Sequence, residues 1–93
     1  IPSVEKRVLD LMPVHSLTLY SRRGCHLCED MLAQLDDLTE EYDFALTVRD
    51  VDENPRWAEE FGEKVPILFA DNIEVCRYFL DLVAVRRLLN LSI

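Results

Sequence analysis

Hydrophobic residues follow two different spacings along this chain, and the spacing changes several times. Four short segments predict strands. Three of them alternate between apolar and polar residues, and the fourth is apolar throughout, as in a strand buried on both faces. In chain order these strands are 16–20, 44–49, 65–69 and 73–76, of which 65–69 is the apolar one.

Three other segments carry apolar residues at steps of three and four, which predicts helices. The first begins at Cys25 and carries acidic residues on the face opposite to its apolar stripe. The second begins at Asn54, a favourable N-cap residue before a proline, and ends at Gly62. The third is capped by Asp81. The residues expected to face inward are Leu27, Met31, Leu35 and Leu38, then Trp57 and Phe61, then Leu82, Val85, Leu88 and Leu89.

The connections between these elements predict one mixed sheet. A strand–helix–strand unit forms a right-handed crossover between parallel strands, whereas the two-residue turn at Asp71 and Asn72 joins antiparallel strands. We therefore expect an α/β fold, β-α-β-α-β-β-α, with a mixed four-stranded sheet and helices on both faces. A regular register around the turn pairs Cys76 with Ile67 and places it on the same face as Glu74.

The first 14 residues stand apart from this pattern. Their apolar residues could form one face of a short helix, although an isolated helix of this length is marginally stable, so a loose tail is equally expected. The length of 93 residues allows one domain. We therefore divide the chain into an N-terminal extension, residues 1–14, and one domain, residues 15–93.

Charge and cysteine content narrow the class of protein. With 18 Asp and Glu against 10 Lys and Arg the net charge is −8, which opposes binding to nucleic acid or to an anionic membrane. No apolar run approaches the ~20 residues of a membrane-spanning helix. Three cysteines are too few for a disulfide scaffold, and a CxxC motif without a secretory segment favours a reducing compartment. We therefore expect a cytoplasmic monomer.

The CxxC motif formed by Cys25 and Cys28 carries the candidate chemistry. It lies where the first strand leads into the first helix, so unsatisfied N–H groups and the helix dipole favour a thiolate at Cys25. Arg22 and Arg23 add to this effect, and two acidic residues after Cys28 oppose it. Because Cys28 lies one turn later on the same face, Cys25 is predicted to attack a disulfide and Cys28 to resolve the mixed disulfide.

A second feature is the Val65-Pro66 pair at the head of a buried strand, where proline needs a strand start or a cis bond. With it, the chain resembles glutaredoxin-like proteins of the thioredoxin fold over residues 16–91. The segments that carry the resemblance are 17–20, 25–28, 50–52, 61–62 and 65–68. It implies that Cys25 is the nucleophile and Cys28 the resolving thiol. It also implies that Pro66 is a cis-proline facing the CxxC, and that Val65 offers its backbone to a peptide or to glutathione.

The resemblance also implies an activity, namely that of a thiol-disulfide oxidoreductase in electron transport and cell redox homeostasis. Its substrates would be disulfide-containing proteins or glutathione mixed disulfides, and a thiol reductant system would regenerate it. No bound cofactor is expected, with glutathione as the candidate co-substrate. Two departures predict weak glutathione binding. Lys64 stands where the family usually has Thr, and residues 76–79 replace a Gly-Gly pair that lets the backbone approach glutathione.

Three questions stay open at the level of sequence. Arg22, Arg23, Lys64 and Arg77, here called the basic rim, are either ordinary surface charge or a binding rim for an anionic substrate. Cys76 is either a small buried hydrophobic residue or a third redox thiol. The function itself has two alternatives. One is a metal or iron–sulfur module with Cys25 as a ligand in a dimer, and the other is a peptide-binding module without dithiol turnover.

Overall fold

The computed structural model describes residues 16–91, so the predicted extension over residues 1–14 lies outside the described residues. The strands are β1 (Ser16–Ser21), β2 (Ala45–Asp50), β3 (Ile67–Ala70) and β4 (Ile73–Arg77). The helices are α1 (His26–Leu38), α2 (Pro55–Phe61) and α3 (Leu82–Leu91), with a short 3-10 turn at Val51–Glu53. Over residues 16–91, no helix is long and apolar enough to span a bilayer.

The four strands form one sheet in the order β2-β1-β3-β4. β1 and β2 run parallel, joined through α1, and the other two neighbouring pairs are antiparallel. This is the mixed four-stranded α/β sheet that the connections predicted. Because β1 is a central strand and its C-terminal end leads directly into α1, the CxxC motif lies at one end of the sheet.

Two hydrophobic clusters cover the two faces of the sheet. The larger cluster joins the sheet to α1 and α3, and its fully buried members include Leu17, Leu35 and Val85. The smaller cluster lies on the α2 face, where Tyr20 contacts the rings of Trp57 and Phe61. Helices therefore cover both faces, as predicted.

Local capping signals placed the helix ends correctly. Asn54 Oδ1 accepts the Arg56 N–H at 2.9 Å, and Asp81 Oδ1 accepts the Ala84 N–H at 3.0 Å. One inward assignment is wrong, because Leu82 is 43% exposed. Leu82 is the first residue of α3, and the helix reaches the core only one turn later.

The register of β4 differs from the regular hairpin that the sequence predicted. Beyond the turn, Phe69 pairs with Glu74 but Leu68 pairs with Cys76, so Val75 is an extra residue in a β-bulge. The bulge moves Cys76 to the face of Leu68, where it packs against the larger cluster. The prediction that Cys76 pairs with Ile67 and shares the face of Glu74 is therefore wrong.

Candidate dithiol site

The chain reaches the CxxC through a sharp change of direction after β1. Gly24 has φ +74°, in the left-handed region that glycine adopts without a steric penalty. Cys25 then has extended backbone angles, φ −100° and ψ 107°, which are typical of an N-cap residue. The loop therefore places Cys25 at the N-terminus of α1, one residue before its first turn.

Cys25 caps this helix with its sulfur. Cys25 Sγ accepts the Cys28 N–H at 3.1 Å, and the two residues are joined as a disulfide with a Cα–Cα separation of 5.2 Å. Cys25 is half-buried, whereas Cys28 is only 3% exposed. Of the two sulfurs, Cys25 is thus the one that a partner can reach. It is also the one that receives a helix N–H, which stabilises negative charge on sulfur.

The segment at Val65 and Pro66 offers free backbone groups near the head of β3. The peptide bond between these two residues is cis, and Pro66 is buried. The Pro66 C=O accepts the Tyr78 N–H at 2.7 Å. By contrast, the backbone N–H and C=O of Val65 make no hydrogen bond to any residue between 16 and 91. Val65 is therefore able to pair with an added strand.

Arg22 ties the loop before Cys25 to the segment after β2 and to the end of α2. Its Nε and Nη2 donate to the two carboxylate oxygens of Asp52 at 3.1 and 3.0 Å, and Nη1 donates to the Gly62 C=O at 3.0 Å. A Cβ at Gly62 would clash with the Ala58 backbone C=O and would also crowd Nη2, at 3.1 Å, so glycine leaves room for this contact. The hydrogen bonds with Asp52 raise the pKa of Arg22. Arg22 is thus occupied by structural contacts.

Two other members of the basic rim also contact carboxylates. Arg77 donates through Nε and Nη2 to both carboxylate oxygens of Glu74, at 2.7 and 2.8 Å, and this pairing lowers the pKa of Glu74. The bulge makes the pair possible, because residues three apart on a regular strand point to opposite faces. Arg23 is 94% exposed and lies 3.8 Å from Asp50. Lys64 is the rim residue without an ion pair among the described residues.

The structure therefore adds three acidic residues, Asp50, Asp52 and Glu74, that sequence reasoning did not connect with the site. Asp52 lies 30 positions from Arg22, and Glu74 and Arg77, three positions apart, would point to opposite faces of a regular strand. Only the acidic excess of the chain therefore hinted at these pairs.

A cavity of about 180 Å³ lies beside Cys28. It is lined by Ser21, Arg22, Arg23, Gly24, Cys28, Glu29, Leu32 and Asp50.

Cys76 is distinct from the dithiol pair. It is half-buried, and this burial raises the pKa of its thiol, although a hydrogen bond from the Asp81 backbone acts in the opposite direction. Within residues 16–91, no group of three or more His, Cys, Asp or Glu side chains is arranged to hold a metal ion.

Comparison with known proteins places this site in a family. A sequence model described as a glutaredoxin-like domain matches residues 16–90. The structure is similar to that of protein Ne2328 from Nitrosomonas europaea, with 39% identity and a TM-score of 0.71, covering 81% of this chain and 91% of that one. It is also similar to target protein XcR50 from X. campestris, with 26% identity, a TM-score of 0.63 and coverage of 81% and 96%.

Thioredoxin 1 from Thermosipho africanus shares the fold at 21% identity and a TM-score of 0.59, covering 83% of this chain and 97% of that one. A search of curated proteins finds no match. The fold is thus thioredoxin-like, with a pair of cysteines at disulfide distance at the start of its first helix. The chain belongs to the glutaredoxin-like family.

Proposed function

We propose that this protein is a thiol-disulfide oxidoreductase in which Cys25 is the nucleophile and Cys28 the resolving thiol. One observation carries the proposal: the reachable Cys25 sulfur accepts a helix N–H, while the Cys28 sulfur is buried one turn away. A thiolate at the N-cap is stabilised by the helix dipole and by this hydrogen bond. Family membership and the paired cysteines support the same assignment.

The reaction has two exchange steps. The Cys25 thiolate attacks one sulfur of a client disulfide, a Cys25–client bond forms, and the other client sulfur leaves as a thiolate that takes up a proton. Cys28 then loses its proton and attacks the Cys25 sulfur, so that the Cys25–Cys28 disulfide forms and the second client thiol is released. The client gains two electrons and two protons, and an external thiol reductant restores the dithiol.

Client binding in this proposal uses the free backbone of Val65 next to Pro66. A client segment paired with Val65 by β-augmentation is held in an extended form at the head of β3. Lys64 is the member of the basic rim available for an anionic group, since Arg22, Arg23 and Arg77 already contact carboxylates. Glutathione, with two carboxylates, is therefore expected to be a weak co-substrate. A dithiol that works in the reduced form suits a reducing compartment, and we propose the cytoplasm.

A parallel turnover assay tests the proposal. The protein is given a low-molecular-weight disulfide such as hydroxyethyl disulfide, together with NADPH and either glutathione with glutathione reductase or thioredoxin with thioredoxin reductase. We expect NADPH consumption that depends on the protein in at least one arm. Cys76→Ala is the matched control, because it removes a thiol outside the CxxC. If the oxidised protein is reduced by no dithiol reagent, the peptide-binding alternative replaces this proposal.

A further inference from the structure

A groove beside the CxxC has no role in the exchange steps above. It has a volume of about 420 Å³ and runs between α1 and the loop that follows β4. We call it the aromatic groove, and it is lined by Leu27, Asp30, Met31, Ala33, Gln34, Tyr78, Phe79 and Leu80. Because Leu27 stands between the two cysteines in sequence, one end of the groove lies next to the dithiol pair.

The loop wall of the groove is held in an unusual conformation. Tyr78 has φ +69°, which is sterically unfavourable for an aromatic residue. It is fixed at both ends, because its N–H donates to the Pro66 C=O at 2.7 Å and its hydroxyl donates to the Glu63 C=O at 3.2 Å. The next residue, Phe79, is 71% exposed. The loop thus keeps a large aromatic side chain in solvent beside the site, although burial would be favourable.

The helix that forms the other wall of the groove is acidic as a whole. α1 carries the four acids Glu29, Asp30, Asp36 and Asp37 and contains no Lys or Arg. Asp30 is the one charged residue among the described residues that line the groove, and it forms no ion pair within residues 16–91. A partner that fits both walls therefore combines an apolar side chain with a cationic one.

We propose that the aromatic groove binds the chain segment next to the reactive cysteine of a protein client, with an apolar side chain against Phe79 and a Lys or Arg side chain at Asp30. The proposal rests on the proposed function and names its substrate class as basic, apolar protein disulfides. Asp30 follows Cys25 by five positions, which is about 7.5 Å along the helix axis. An extended client covers this distance in about two to three residues.

Three synthetic pentapeptides test this preference, each as a mixed disulfide with thionitrobenzoate. Their sequences are Lys-Leu-Cys-Leu-Lys, Glu-Leu-Cys-Leu-Glu and Glu-Ser-Cys-Ser-Glu, with blocked termini. They are symmetric, so neither chain direction is favoured. Attack of Cys25 on the peptide sulfur releases thionitrobenzoate, which is followed by absorbance in the Cys28→Ser variant. Each rate constant is divided by that of the same peptide with dithiothreitol, which removes differences in intrinsic reactivity. We expect the normalised rate constant to fall about tenfold from the first peptide to the last.

Two pairs of variants assign this preference to the groove. Phe79→Ser should reduce the ratio between the first and the last peptide about fivefold, whereas Ile73→Ser should leave it unchanged. Ile73 is the matched control, because it is 72% exposed and lies at the far end of β4, outside the groove. Asp30→Asn should selectively slow the Lys peptide and reduce its salt dependence, whereas Asp36→Asn, with the same change in charge, should not.

The outcomes separate this proposal from the function on which it rests. If neither the peptides nor hydroxyethyl disulfide reacts with the protein, the proposed oxidoreductase function itself is wrong. If hydroxyethyl disulfide reacts but the three normalised peptide rate constants are equal, only the groove proposal is overturned. It is also overturned if size-exclusion chromatography shows a dimer that Phe79→Ser dissociates, because the groove would then bind a second copy of this chain.

Discussion

Two sets of residues near the dithiol site offer opposite kinds of surface. The first is the basic rim, whose three arginines each already contact a carboxylate of the same molecule. The second is the aromatic groove, whose Phe79 is left in solvent and whose one acid, Asp30, has no ion pair among the described residues.

The difference shows that position near a site does not by itself make a charged residue available to a ligand. Arg22 makes three hydrogen bonds that anchor the loop before Cys25, and these must be broken before its charge can meet an anion. Phe79 and Asp30 have no such contacts to lose. We therefore expect selectivity for clients to depend on the groove more than on the rim.

The largest effect is expected at Cys25. Cys25→Ser should abolish disulfide reduction, because it removes the sulfur that the N-terminus of α1 stabilises. Cys28→Ser should still attack but should accumulate mixed disulfides with its client, seen as mass-shifted species by mass spectrometry. Alkylation of the reduced protein at graded pH supplies the check. A Cys28 that reacts faster than Cys25 at pH 7 would contradict the assignment.

A large change is also expected when the loop after β4 is given the Gly-Gly pair that glutaredoxin-like proteins usually have there. Replacing Tyr78 and Phe79 together by glycine removes the exposed ring and gives the positive φ at position 78 to the residue that tolerates it. The rate constant with a glutathionylated peptide should rise about tenfold, and the preference for the Lys-Leu peptide should be lost. Thermal unfolding checks that the fold is retained. If glutathione reactivity stays unchanged, bulk at this loop is not what limits glutathione binding.

Freeing one arginine of the rim should have a smaller effect. Glu74→Gln removes the negative charge and one of the two acceptor oxygens that hold Arg77, and we expect a two- to threefold faster reaction with a glutathionylated peptide, about the strength of one exposed ion pair. The gain should disappear near 1 M salt, where the screening length is about 3 Å. Glu59→Gln on α2 is the matched control for charge.

The same pair has a predictable pH dependence. Because Arg77 lowers the pKa of Glu74, the pair contributes its small stabilisation at neutral pH and loses it as the pH falls through that lowered pKa. The stability difference between wild type and Glu74→Gln should therefore shrink in acid. A difference that is constant from neutral to acid pH would mean that the ion pair does not contribute to stability.

Local signals explain which features could be predicted from the sequence. Strand and helix periods, the caps at Asn54 and Asp81 and the crossover rule each depend on residues close together in the chain, and they gave the correct element order. The bulge at Val75 could not be found, because no residue type marks it and a regular hairpin fits the same sequence. The contacts of Arg22 could not be found either, because they lie 30 and 40 positions away.

The smallest effect is expected at Cys76, which the bulge turns toward the larger cluster and away from the α2 face. Burial raises the pKa of this thiol, so a smaller fraction is thiolate at pH 8 than for an exposed cysteine. In the reduced Cys25→Ser, Cys28→Ser variant, iodoacetamide should therefore modify Cys76 more slowly than it modifies free cysteine, with a rate that continues to rise above pH 9. Cys76→Ala should leave turnover within about twofold of wild type, since Cys28 supplies the resolving thiol. If Cys76→Ala instead stopped turnover with the fold intact, Cys76 would be a third redox thiol and the mechanism with two cysteines would fail.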